Sequence, residues 1–184
     1  MDDLAKHPAK TLMLPEGTMV GFSGHRKLAD PKVVTDAIRK IFDRLAAGHG
    51  PLAAVSSAAS GSDTLFVEEV ARRNLPFLLI LPFPKARFQQ DFSPADWQRV
   101  YPLIERATRV EEVAGGESAE EAYMETGILT ADRADIMIVV WDGKPSVGFG
   151  GTGDVVAYIR GLGKPLIIID PTSREIAEER LEQP

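Results

Sequence analysis

Short, almost continuous runs of valine, isoleucine and leucine recur along the chain, and they restrict its fold more than any other feature. The clearest are Leu-Leu-Ile-Leu at 78–81, Ile-Met-Ile-Val-Val at 136–140 and Leu-Ile-Ile-Ile at 166–169. A strand without alternating polar residues is buried on both faces, as in parallel sheets that helices cover on both sides. The runs therefore predict an α/β fold around a parallel sheet.

Helical patterns separate these runs, so that strands and helices alternate. One helix begins after Asp30 with Pro31 at its first position, and its apolar residues recur every three or four positions. The predicted strands are 19–23, 52–57, 77–81, 108–113, 136–141 and 166–170; the other predicted helices are 63–73, 95–107, 119–133, 154–161 and a polar terminal helix from residue 174. This order predicts a Rossmann-like three-layer α/β sandwich with a mostly parallel sheet of about six strands.

The length of 184 residues fits a single domain. We expect an N-terminal extension over 1–16, the Rossmann-like domain itself over 17–171 and a C-terminal helical tail over 172–184. No apolar stretch has the length of a signal-peptide core or a membrane span, and cysteine is absent. A cytoplasmic protein is therefore expected.

The charge balance bears on the class of partner. The chain carries 21 basic and 27 acidic residues, for a net charge of −6. Nucleic acids and anionic membranes both attract positively charged surfaces, so this balance disfavours both as partners. No grouping of His, Asp and Glu has the spacing of a metal site, and neither a metal nor a required cofactor is expected.

In an open parallel sheet, ligands bind beyond the carboxyl ends of the strands. The first predicted strand ends at Ser23 and is followed by Gly24, His25 and Arg26. Glycine lets a ligand approach the backbone, while His25 adds a titratable group and Arg26 a fixed positive charge for a phosphate or carboxylate. Two alternatives are an ordinary turn with polar surface residues and an internal ion pair between Arg26 and Asp63.

The second predicted strand leads through a run of small residues into a helix. Amide groups at a helix N terminus attract anions, so Ser57, Gly61 and Ser62 are candidate ligand-binding residues. Asp63 would repel a phosphate placed too close, and it is a candidate acceptor for a ribose hydroxyl or an amine. The alternative is that a serine merely caps the helix.

Four glycines fall within the six residues 148–153, after the fifth predicted strand. Gly150, Gly151, Thr152, Gly153 and Asp154 stand directly before a predicted helix, which favours phosphate or nucleotide binding over a mobile connection. The segment lacks the Gly-Lys-Ser/Thr ending of a Walker loop.

These loops together resemble the SLOG superfamily, which includes the "lonely guy" phosphoribohydrolases, the DNA-processing protein DprA and nucleotide-sensor domains. The resemblance rests on residues 21–26, 57–63, 134–135 and 150–154, and it spans about 19–170. It implies a Rossmann-like fold and a phosphate-bearing ligand over residues 150–154, here called the glycine loop. We therefore expect a homo-oligomer that binds or senses a nucleotide or a nucleotide derivative.

The chain departs from the hydrolases of this superfamily at the residues that carry their chemistry. Asp154 replaces a threonine of their motif, Ala157 their catalytic glutamate and Thr126 their catalytic arginine. Alanine cannot act as an acid or base, so we expect no hydrolysis of nucleoside monophosphates at an enzymatic rate. An N-glycosidic hydrolase that uses Asp154, Asp142 or Glu125 instead remains an alternative, as does a DprA-like DNA-processing factor, which the acidic balance disfavours.

The segment 81–92 follows the third predicted strand and is a candidate lid, with Arg87 for a phosphate and Phe88 for a base. Aromatic residues beside prolines more often fix a loop onto the core, and this alternative stays open. On the helix predicted over 119–133, Tyr123 and Glu125 face either helix neighbours, the crevice or a partner subunit.

Overall fold

The computed structural model describes residues 17–113, 118–146 and 148–180. The strands in these ranges are β1 (Thr18–Gly24), β2 (Leu52–Ser56), β3 (Phe77–Leu81), β4 (Arg109–Glu112), β5 (Ile136–Val140), β6 (Leu166–Ile169) and β7 (Ile176–Glu179). The helices are α1 (Pro31–Gly48), α2 (Ser62–Arg72), α3 (Lys85–Phe88), α4 (Pro94–Arg106), α5 (Ala119–Arg133) and α6 (Thr152–Leu162), with a 3₁₀ turn at Gln89–Asp91.

The strands form one sheet in the order β4-β3-β2-β1-β5-β6-β7, and only β7 is antiparallel to its neighbour. From β1 the chain first builds outwards through β2, β3 and β4, and it then returns to place β5 on the other side of β1. The strand order thus reverses between β1 and β5. A crevice opens at such a point beyond the carboxyl ends of the two strands.

Helices cover both faces of the sheet and enclose two apolar cores. Residues of α1, α2 and α4 pack on one face, and residues of α5 and α6 on the other. Successive residues of β1 serve opposite cores, with Val20 and Phe22 in the first and Met19 in the second. The predicted Rossmann-like α/β sandwich is confirmed, with seven strands in the described residues.

The predicted terminal helix is wrong, because residues 176–179 form β7. The edge of β6 offers unpaired backbone groups, and β7 satisfies them in antiparallel register, with Ile176 opposite Ile169 and Glu179 opposite Leu166. Ion pairs to Arg44 and Arg160 add side-chain contacts. The expected extension over 1–16 lies outside the described residues.

Candidate functional site

The crevice between the ends of β1 and β5 holds a cavity of about 580 Å³. Ten of the predicted ligand-binding residues line it: Ser23, Gly24, His25, Arg26, Ser57, Asp63, Gly150, Gly151, Thr152 and Gly153. Gly61, Ser62 and Asp154 do not line it. The structure thus brings three loops that are distant in sequence to one cavity.

Gly61 and Ser62 do not line the cavity but connect the loop before α2 to the loop that follows β1. The Ser62 amide donates to the His25 carbonyl (3.1 Å), and the Ser62 hydroxyl lies buried against Gly24. Gly61 has a φ of +94°, and a Cβ there would lie 2.3 Å from the Arg26 carbonyl oxygen. These two residues therefore position the β1 loop, and Ser62 is too deeply buried to contact a ligand as predicted.

Asp63 is a buried carboxyl group at the base of the cavity. Its Oδ2 accepts hydrogen bonds from Ser57 Oγ (2.7 Å) and, more weakly, from Ser56 Oγ (3.4 Å). Burial raises the pKa of Asp63 to about 7, although the serine hydroxyls and the positive charge of Arg26 act in the opposite direction. Near neutral pH this carboxyl group is only partly ionised, which lessens its repulsion of an anionic ligand.

This pKa predicts a pH dependence of stability. From the ordinary value of 3.8 up to about 7, the folded protein keeps a proton that the unfolded chain releases. The free energy of unfolding should therefore fall by about 4 kcal/mol as the pH rises through this window. Urea unfolding of the wild type and of Asp63→Asn, which cannot titrate, isolates the effect: the difference between the two should change by this amount. Parallel stability curves would contradict the assignment.

His25 connects the ends of β1, β5 and α6. Its Nε2 lies 3.1 Å from Asp142 Oδ1, and its Nδ1 lies 3.3 Å from Thr152 Oγ1. Burial opposes ionisation of Asp142, but hydrogen bonds from Lys144 and His25 lower the pKa of this carboxyl to about 2. Asp142 is therefore ionised at neutral pH and has no proton to give as a general acid.

The glycine loop directs only part of its backbone into the cavity. The Asp154 carboxylate accepts hydrogen bonds from the amides of Gly150 (2.9 Å) and Gly151 (3.3 Å), and so occupies two groups that were predicted to bind an anion. The first amides of a helix have no acceptor within the helix. Those of Thr152 and Gly153 also form no hydrogen bond elsewhere in the described part of the chain, and both residues line the cavity.

Arg26 stands at the cavity wall with its guanidinium carbon 3.9 Å from the centre of the Tyr123 ring. No carboxylate of the described residues lies within 4.0 Å of its nitrogens, so the alternative ion pair with Asp63 does not form. Tyr123 in turn donates to Asp91 Oδ2 (2.6 Å), and Asp91 Oδ1 pairs with Arg87 (2.7 Å). This chain of contacts holds Arg26 in place without neutralising it.

The predicted lid does not have its expected residues at the cavity. Phe88 is fully buried and packs edge-on against Phe92 and Trp97, so it cannot stack on a base. Arg87 pairs with Asp91 and lies over the Phe83 ring. The proline-flanked aromatics fix this segment to the core, which is the alternative that the sequence left open.

The positions compared with the hydrolases fall in different places. Thr126 is buried and lines the cavity, with its hydroxyl bonded to the Ala122 carbonyl. Ala157 is exposed on α6 and does not line the cavity, and neither does Glu125. Of the alternative catalytic carboxylates only Asp142 lines the cavity, while Asp154 caps α6.

Several cavity residues were missed in the sequence. Asp91, Thr130, Lys144, Ser146 and Phe149 all line it. The Thr130 hydroxyl is buried without a hydrogen-bond partner in the described chain, and the Phe149 side chain is 62% exposed at the cavity. Lys144, Ser146 and Phe149 could have been found in the sequence because they stand just before the glycine loop. No local pattern marks Asp91 or Thr130.

A parallel sheet whose strand order reverses at a central strand, with helices on both faces, is a Rossmann-like fold. Two solved structures illustrate the likeness. DNA processing protein A from Helicobacter pylori, whose single-stranded DNA binding mode has been described, superposes with a TM-score of 0.56 at 16% identity over 83% of this chain and 65% of its own. DprA from Streptococcus pneumoniae gives 0.58 at 16% identity, over 83% of this chain and 50% of its own. No family model and no curated protein matches the sequence.

These comparisons are of fold, and this chain spans less than two thirds of either neighbour. They overturn one expectation. Net charge was used to disfavour nucleic acid as a partner, and this is wrong, because the Helicobacter pylori protein with the same fold binds single-stranded DNA. Net charge sums the whole surface, whereas a nucleic acid responds to the local field at its site.

Among the described residues, no helix has both the length and the apolar character needed to cross a bilayer. The same residues contain no cluster of three or more His, Asp or Glu side chains that could hold a metal ion.

Proposed function

We propose that the protein is a nucleic-acid-binding member of the SLOG superfamily that binds single-stranded DNA in the crevice between β1 and β5. The observation that carries the proposal is Arg26, a guanidinium at the cavity wall that no carboxylate neutralises among the described residues. A guanidinium is well suited to a phosphate, with which it forms paired hydrogen bonds. The fold shared with a protein that binds single-stranded DNA supports this reading.

The electrostatics of the crevice are compatible with an anionic ligand despite the net charge of −6. Asp142 pairs with Lys144 and forms a hydrogen bond with His25, and Asp91 pairs with Arg87. Asp63 is only partly ionised at neutral pH because burial raises its pKa to about 7. Of the acidic residues that line the cavity, Glu120 is exposed and forms no ion pair within the described parts of the chain.

The cavity also offers groups for the other parts of a nucleotide. The amides of Thr152 and Gly153, at the positive end of α6, suit a second phosphate oxygen. The exposed Phe149 ring suits stacking on a base, which contributes to single-strand binding without sequence preference.

A free nucleotide or nucleotide derivative is the second candidate ligand. The cavity volume of about 580 Å³ lies within the range of small-molecule sites, and this observation favours it independently of the fold comparison. The two candidates differ in the length of ligand that binds best: a DNA-binding site should prefer an oligonucleotide over its monomer, whereas a sensor of free nucleotides should not.

Titration of the protein with dT12, dTMP and AMP tests the proposal, with Gly151→Val as the crevice variant. A Cβ at Gly151 would lie 2.6 Å from Ser146 Oγ, so valine should distort the loop and weaken dT12 binding at least tenfold. Gly161→Val is the matched control, because its Cβ meets nothing within 4 Å at the far end of the same helix. If Gly151→Val binds dT12 as tightly as the wild type does, the proposal is contradicted. If the wild type binds AMP more tightly than dT12, the result favours a sensor of free nucleotides.

A further inference from the structure

A second, smaller cavity is also lined by Arg26. It has a volume of about 220 Å³ and is walled by residues of α1, α2, α4 and the loops before them. Arg26 is the only residue that lines both this cavity and the larger one, among the described residues. Arg26 therefore borders both cavities, and its guanidinium, which lies over the Tyr123 ring at the larger cavity, can contact a phosphate that passes from one cavity to the other.

The second cavity is lined by both apolar and polar residues. Leu28, Pro31 and Leu65 give it an apolar wall, and the first and last of these are partly buried against the core. Ser60, Asp96 and Arg99 give it polar groups. A cavity with both apolar and hydrogen-bonding lining residues suits a nucleobase, which has an apolar face and a polar edge.

The polar groups are fixed in place before any ligand binds. Arg99 forms two hydrogen bonds to Glu68 (3.0 and 2.9 Å), and Asp96 accepts from the Ser93 hydroxyl at the start of α4 (2.7 Å). Arg99 is half exposed and is already paired with a carboxylate. It therefore suits a contact with the edge of a base better than it suits a second phosphate, since that phosphate would have to displace Glu68.

We propose that the second cavity is a nucleobase subsite, so that a dinucleotide binds with one base in each cavity and its bridging phosphate on Arg26. This inference rests on the proposed function and extends it by stating the smallest preferred ligand. A sensor of free mononucleotides would have no use for the second cavity, whereas a single strand that crosses Arg26 would fill it.

The test compares pTpT with two analogues in which either one nucleotide or the other lacks its base. All three share the same phosphates, so differences in affinity report base contacts alone. We expect both analogues to bind the wild type roughly tenfold more weakly than pTpT, which is within the range for one stacked base. If either analogue binds as tightly as pTpT, only one base is bound, so the two cavities do not each hold a base and the inference is overturned.

Ser60→Phe then assigns the second base to its cavity. The new ring should fill the space beside Leu28 and Leu65, so that pTpT binds no tighter than the analogue that lacks the base of that cavity. Retention of the full tenfold preference by a folded Ser60→Phe protein would overturn the inference. The melting temperature of the variant checks its fold, and Arg99→Ala, at an exposed position, provides a second variant that should reduce the same preference about threefold.

The two proposals fail in different ways. If the wild type binds none of these ligands and no longer oligonucleotide, the proposed function itself is wrong, and the subsite with it. If it binds dT12 but gains nothing from the second base of pTpT, single-strand binding stands and the subsite alone is wrong.

Discussion

Gly61→Ala is expected to destabilise the protein by about 4 kcal/mol and to weaken dT12 binding per folded molecule. The residue has a φ of +94° and a ψ of −129°, a conformation that alanine adopts only with strain. Its Cβ would also lie 2.3 to 2.6 Å from the backbone of Arg26, so the β1 loop must move to admit it. Urea unfolding measures the first effect and titration of the folded protein the second.

Gly163→Ala is the matched control for this variant. Gly163 also has a positive φ (+69°), but among the described residues its Cβ would meet only the end of the Arg180 side chain, at 3.5 Å. It should therefore cost only the backbone strain of about 1 kcal/mol and leave binding unchanged. Equal destabilisation by the two variants would show that the contact with Arg26 has no energetic role.

Arg26→Ala is expected to weaken dT12 binding roughly 30-fold while leaving stability nearly unchanged. Loss of a charge-assisted contact with a phosphate gives an effect of this size. The guanidinium is exposed, and its described contact within the protein is the Tyr123 ring, so little folding energy depends on it. The salt dependence of binding should also become flatter, by about 0.7 in the slope of log K against log salt.

Lys40→Ala removes the same charge from α1, at an exposed position that lines neither cavity, and should change neither the affinity nor the slope. A loss of stability in Arg26→Ala without a loss of affinity would mean that the arginine serves the fold and not a ligand.

The apolar runs were sufficient to predict the parallel sheet. Strands such as β5 and β6 are buried along their whole length, so their composition alone indicates helices on both faces. The terminal segment was mispredicted because Ile176–Glu179 is polar and short, and its strand depends on pairing with β6. Such pairing is a tertiary effect that no local pattern encodes.

The candidate site, too, could be predicted from the sequence only in part. Residues at the end of β1 and just before α6 were predictable, since the topology brings strand ends and helix N termini together. The buried state of Ser62 and the capping role of Asp154 were not, because they depend on contacts with Gly24 and with the amides of the glycine loop. The candidate lid role of Phe88 was wrong, whereas the alternative was right: its ring packs against Phe92 and Trp97 and fixes the segment to the core.

Chemical-shift mapping of the ¹⁵N-labelled protein during titration with dT6 tests the central claim most directly, because it locates the DNA without altering the protein. We predict that the largest changes fall on the amides of Gly24, His25, Thr152 and Gly153, which line the larger cavity. Saturating changes at these amides would place the DNA in the crevice. Changes confined to another surface, or none at millimolar dT6, would contradict the claim that this crevice binds single-stranded DNA.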